Sequence, residues 1–254
     1  MAYFQYIKES LFLNWKTWLY LFVSVYWITK PGSYLYGILT LFISIISSHL
    51  THYMLHHPLS YPLNISHIYH HDHNNFMSHF IQILLEFVAL LAMIGCKFVC
   101  NIYSLIDLSF LNDYVLIFFY LVYTTIHNIN YSIYHVNHVH EIHHKVYFQN
   151  MGPDICDLVF NTKYKPEEGV EDTNHYTLNI IGALLATLCL KYLIGPRNLF
   201  DTPFKYLYVG IYLLFVVISI YLYLDTLKKE NNEFDEKIRK LVLLAKMSPP
   251  IAQD

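Results

Sequence analysis

Apolar residues run along this chain in blocks rather than in strict alternation. They cover about 15–29, 34–48, 80–99, 105–126, 176–194 and 206–224. A helix needs roughly 20 apolar residues, within a range of about 17–25, to cross the hydrocarbon of a bilayer. The first two blocks are marginal alone. Their aromatics Trp18, Tyr20, Tyr26, Trp27, Tyr34 and Tyr36 suit the two interfaces. Between them Lys30-Pro31-Gly32-Ser33 holds two helix breakers and predicts a tight turn. Asp107, Asn112 and Asp113 place the start of the fourth block at the interface. The pattern predicts an all-α, polytopic membrane protein of about six helices in three hairpins, one integral-membrane domain over 1–254. Three hairpins put the N-terminus, the polar stretches 49–79 and 127–175 and a charged tail, 225–254, on one face of the membrane. An amphipathic helix is expected in that tail, around 234–246.

Composition agrees with this pattern and narrows the function. Charged residues make up 14% of the chain and apolar ones 55%, against about 25% charged in an ordinary soluble domain. The formal net charge of −3 gives no reason to expect nucleic acid as a partner. Eleven of the sixteen Lys and Arg fall on the predicted histidine-bearing face, which makes that face cytosolic by the positive-inside tendency. The N-terminal stretch reads as interfacial and lacks the pattern of a cleaved signal peptide. Cys96, Cys100, Cys156 and Cys189 show no zinc-ribbon spacing, and no disulfide is expected.

Histidine is the outlier, with sixteen copies. His52 and His56 form an HxxxH pair. His67, His70 and His71 form an HxxHH box, and His140, His143 and His144 form a second. On a helix, positions i, i+3 and i+4 share a face, so each box is expected to aim its imidazoles one way. Random order would give about 0.06 such boxes in a chain of this composition. Neutral imidazole suits iron, zinc and copper. Neither box fills a coordination sphere, so several helices must converge. His49, His57, His73, His79, His138 and His175 read as local or supporting residues.

The order HxxxH, HxxHH, a lone His, then HxxHH is followed by Asn150-Met151-Gly152-Pro153-Asp154-Ile155-Cys156-Asp157-Leu158-Val159-Phe160-Asn161-Thr162. This arrangement resembles the fatty acid hydroxylase / sterol desaturase superfamily, whose last box precedes an NYG…WD…FGT ending. The resemblance covers about 52–164, the expected catalytic core. It implies metal ligation by His52, His56, His67, His70, His71, His127, His140, His143 and His144, with His135 competing with His127 for one place. His127, Tyr131 and His135 would share a face if the fourth helix continued. Asn150 and Asp157 match supporting positions, with Asp157 expected to fix a ligand histidine by a hydrogen bond. Cys156 stands where the family usually has Trp, and Asn161 where it usually has Gly.

The resemblance implies two iron ions, although the spacing alone equally permits zinc. It implies O2 as co-substrate and hydroxylation of an unactivated C–H bond in a lipid, fatty acyl or sterol, drawn from the bilayer. Desaturation by the same site stays open, and a histidine-based metal transporter is the reading from another class. The chain has no haem-binding or dinucleotide fingerprint, so a separate b-type cytochrome and its reductase are the expected electron donors. The endoplasmic reticulum is the compartment implied. Glu86, inside the third block, is either functional or close enough to the helix end to reach the interface.

Overall fold

The computed structural model describes residues 2–57, 60, 64–73, 75–103 and 107–195. The sixth apolar block and the charged tail, with the amphipathic helix expected there, lie outside the described residues. Among the described residues the chain is helical and forms no strand. The helices are α1 (Ala2–Leu13), α2 (Trp15–Thr29), α3 (Tyr34–Leu55), α4 (Asn64–Asp72), α5 (Phe76–Ile102), α6 (Asp113–Thr125), α7 (Val139–Lys145), α8 (Asp154–Phe160) and α9 (Thr177–Ile194). A π-helical segment, Ile126–Ile133, continues α6.

Among the described residues three helices have the length and apolarity to cross a membrane: Tyr34–Leu55, Phe76–Lys97 and Asn174–Ile194. Most of each faces outward, with Leu35, Phe42, Ile46, Phe80, Ile83 and Leu185 exposed, as a lipid surround requires. Helix α2 rises only about 22 Å and α6 about 20 Å, at 1.5 Å per residue, each short of a full crossing.

Helix α6 is the centre of the bundle and contacts α2, α3, α5 and α9. Its buried positions Val115, Phe118 and Val122, with Ile126 at the start of the π segment, follow the three-and-four spacing of one helical face. They pack with Val25 and Ile28 of α2, Leu41 and Ile45 of α3, and Ile180 and Ala183 of α9. Gly37 sets how closely α2 and α3 approach. A Cβ there would lie 2.7 Å from Val25 Cγ1 and nearer still to Thr29 Cγ2.

The buried stripe of α3 delivers the site. Gly37, Leu41, Ile45, His49 and His52 lie on one face at intervals of four, four, four and three. The same face therefore passes from hydrocarbon core to imidazole without turning. The two ends of α3 are built differently. Ser33 accepts the Tyr36 amide at the start, while the far end stops at His56. Short helices α4, α7 and α8 cluster at that end, α4 against α5, α7 against the π segment, and α8 against α1 and α3.

Candidate metal centre

Eight of the nine histidines implied as ligands gather into two groups. His52, His56, His67, His71 and His143 form one, and His70, His127 and His140 form the other. Within each group one nitrogen per residue lies within 4.8 Å of all the others. The ninth, His144, meets His140 through their Nε2 atoms at 2.8 Å and so joins the second group.

Each HxxHH box is divided between the groups, which corrects the expectation of a shared aim. His67 and His71 enter the first group and His70 the second. His143 enters the first and His140 the second, with His144 joined to it through His140. Adjacent residues such as His70 and His71 project about 100° apart on a helix of 3.6 residues per turn. A short helix carrying HxxHH thus straddles two centres.

Burial and hydrogen bonding settle which nitrogen of several rings is free. Loss of solvent, with neighbouring imidazoles adding to it, lowers His67, His70, His71, His140 and His143 well below the usual histidine range. His56 and His144 are lowered to about 4 by burial and like-charged neighbours. These rings are neutral, so each has one N–H and one lone-pair nitrogen. His52 Nδ1 donates to Met151 O at 2.7 Å, His143 Nδ1 to Gln149 O at 2.8 Å, and His67 Nδ1 to Gln82 Oε1 at 3.2 Å. A carbonyl can only accept, so the Nε2 atoms of these three rings carry lone pairs. His52 Nε2 and His67 Nε2 nevertheless stand 3.1 Å apart. Two lone pairs at that distance repel unless a cation lies between them. His70 leaves both ring nitrogens buried without a partner, and His127 leaves Nε2 so. This donor set fits metal ions held by imidazole nitrogen.

His127 and His135 part company. His127 is 5% exposed and belongs to the second group. His135 is half exposed, its Nδ1 3.6 Å from Glu141 Oε1. The reason is local. The i→i+5 bonding of the π segment, as in Tyr134 N to Ile129 O at 2.9 Å, takes more residues per turn than an α-helix. The chain then leaves the helix, with His135 at φ 47°. The two histidines do not share a face.

The ending after the last box builds a brace under the site. Asp157 accepts from Met151 N and Gly152 N, both at 2.8 Å, and from Thr162 Oγ1 at 2.7 Å. It touches no histidine within hydrogen-bond reach. Its nearest is His49 Nδ1 at 3.8 Å, so the expected direct bond to a ligand is replaced by a relay through the backbone. Asp157 holds the Met151-Gly152 peptides, and Met151 O holds His52. Burial raises the Asp157 carboxyl to about 7, while the bonds from Thr162 and Gly152 and the charge of Lys163 work against that rise. Asn150 Oδ1 accepts from Tyr164 N at 3.0 Å and its Nδ2 donates to Val139 O at 3.3 Å. Gly152 takes φ +62°, which glycine adopts without steric cost. Asn161 caps α8 with φ 59°, a conformation asparagine tolerates.

His49 Nδ1 donates to Gly152 O, 3.2 Å away, and the ring stacks on Phe160 with centroids 4.9 Å apart. His73 meets Tyr69 O at 3.1 Å, His138 meets Glu141 Oε2 at 3.0 Å and His175 meets Asp172 O at 3.0 Å. These stay at the margin. Sequence reasoning missed Gln82, which touches both groups. Its signal was a second polar residue one turn before Glu86 in an apolar span.

Among the described residues three cavities reach the cluster, one of them, about 210 Å³, opening beside His70, His71, His140 and His144. One of about 250 Å³ lies between α3, α5 and α6, walled by Ser44, Ala89, Met93 and Leu116 and headed by His52, Gln82 and Glu86. Another of about 120 Å³ runs from Trp18, Ile45 and Ile180 to His127 and His140.

No family model matches the chain, and no curated protein or solved structure matches it at a significant level.

Proposed function

We propose that the chain is a lipid-modifying membrane oxidoreductase that hydroxylates an unactivated C–H bond at a di-iron centre held by His52, His56, His67, His71 and His143 on one side and His70, His127, His140 and His144 on the other. The observation that carries this reading is the facing pair of lone-pair nitrogens, His52 Nε2 and His67 Nε2, inside the first of two all-histidine groups. The resemblance of 52–164 to the fatty acid hydroxylase / sterol desaturase superfamily selects iron over zinc. Two irons would supply O2 activation, with two electrons from an external b-type cytochrome and its reductase.

The chain's own residues do the rest. Met151 O, Gln149 O and Gln82 orient imidazoles, as outer partners of ligand histidines do. The cavity between α3, α5 and α6 is lined mainly by apolar side chains and ends at His52. It spans about 16 Å of α5, at 1.5 Å per residue over 82–93. A lipid chain lying there places a carbon beside the first histidine group. Hydroxylation against desaturation depends on the fate of the substrate radical, and product analysis distinguishes them. The apolar blocks and the Lys and Arg distribution support a six-helix, three-hairpin topology with the histidine face cytosolic, and the family resemblance implies the endoplasmic reticulum as its compartment.

Metal analysis of the purified chain tests the reading. About two irons per chain, lost in the His143→Ala/His144→Ala variant, are expected of ligand histidines. Metal retained in that variant sinks the ligand assignment. A lipid profile of expressing cells with no new hydroxylated or unsaturated species sinks the reaction.

A further inference from the structure

We propose that Glu86 is a positioning residue that sets the protonated nitrogen in both histidine groups, directly at His127 and through Gln82 at His67. The inference rests on the metal-binding reading above and adds a residue to it.

Glu86 sits in the spanning part of α5 and is 7% exposed. An ionisable group at such a place is costly unless something uses it. Four donors converge on its two oxygens. They are His127 Nδ1, Thr124 Oγ1, Asn128 Nδ2 at 3.2 Å and Gln82 Nε2 at 2.9 Å. A carboxylate is acceptor-only and offers about four lone-pair sites, so the set is matched.

The consequences follow in order. His127 must carry its proton on Nδ1, which leaves Nε2 the lone-pair nitrogen, and that atom is buried without a partner. Gln82 must turn its NH2 end toward Glu86. Its Nε2 also lies 3.4 Å from His127 Nδ1. Both are donors, and Glu86 Oε1 is the acceptor they share. With Nε2 so committed, Gln82 presents Oε1 to His67 Nδ1 at 3.2 Å. His67 must then protonate Nδ1 and free Nε2, the atom facing His52. One acceptor-only group thus fixes an imidazole in each group. It also adds the negative charge that an all-histidine ligand set lacks.

The test uses the full chain in lipid nanodiscs, titrated with Fe(II) against a competing chelator. Glu86→Gln keeps the shape but gives the side chain a donor end, so the direction of the Gln82 bond is no longer forced. Both ions are expected to bind about 10–100-fold more weakly, the usual cost of losing an outer partner of ligand histidines. Glu86→Asp, still acceptor-only, recovers part of the loss. Gln82→Met is expected to weaken one ion and spare the other. The ligand-field bands of the Co(II)-loaded protein shift in Glu86→Gln while its helical circular dichroism stays as in the wild type. Should Glu86→Gln not fold, Gln82→Met carries the test, and unchanged affinity for both ions overturns the proposal. Wild-type protein that binds two irons, with variants that bind them equally well, removes Glu86 from this role and leaves the di-iron reading standing. Wild-type protein that takes up no iron removes both.

Discussion

Tautomers, more than distances, give this histidine cluster its chemistry. A neutral imidazole binds metal only through the nitrogen that lacks hydrogen, and the protein chooses that nitrogen by what it offers to the other. Carbonyls from Met151 and Gln149 choose for His52 and His143. Position decides between His127, which is buried in the second group, and His135, which is half exposed. Replacing His127 by Ala is expected to lower iron stoichiometry at the second group, whereas His135→Ala leaves it unchanged, as metal analysis of the two variants will read. Asn161 gives a second prediction of this kind. Its φ of 59° is one that glycine adopts freely. Asn161→Gly should leave the thermal midpoint nearly unchanged, whereas Asn161→Val, β-branched at positive φ, should lose roughly 1–3 kcal/mol.

Between helices, two contacts carry most of the consequence. Gly37 lets α3 lie against α2 at a separation that no Cβ fits. Gly37→Ala is expected to destabilise the bundle by about 1–3 kcal/mol through overpacking, read as a lower unfolding midpoint in detergent. The brace after the last box is the other contact. Asp157→Ala leaves the Met151 and Gly152 amides without their acceptor, at about 1–3 kcal/mol for each buried donor. Hydrogen exchange should accelerate over 150–162, and iron should bind more weakly because Met151 O no longer holds His52 in place. Unchanged exchange in that segment would show that the loop is held by other means. The sequence pointed to Asp157 through its motif position. The relay was not legible there, because the bond that matters passes through a backbone carbonyl, which any residue has.

Taken together, the chain is a bundle with an apolar belt and a metal-competent histidine cluster at one end. The cavity between α3, α5 and α6 joins these two parts. Ala89→Phe is expected to fill it and to reduce or redirect lipid oxidation while iron content stays as in the wild type. Product analysis beside metal analysis separates that outcome from a folding defect. Apolar blocks and box spacing are local properties of the chain, so five of the six expected helical segments and the ligand candidates could be read from order alone. The sixth segment lies outside the described residues. Short α7 and α8 lie in stretches that carry little apolar periodicity, and their helices depend on packing against the π segment, α1 and α3.

The histidine boxes therefore announce a metal-competent cluster before any fold is known, because ligand chemistry and helical spacing are written in residue types and intervals. How the nine histidines divide, five to one group and four bordering the other, is a property of the assembled bundle. Each box straddles both groups, since neighbouring side chains on a helix diverge by about 100° and meet their partners only across helices. Which of His127 and His135 turns inward depends in turn on the π segment that ends α6. Glu86 could be noticed as a charge in an apolar span, but its donors come from α5, α6 and the π segment together, and only their packing brings them to one carboxylate.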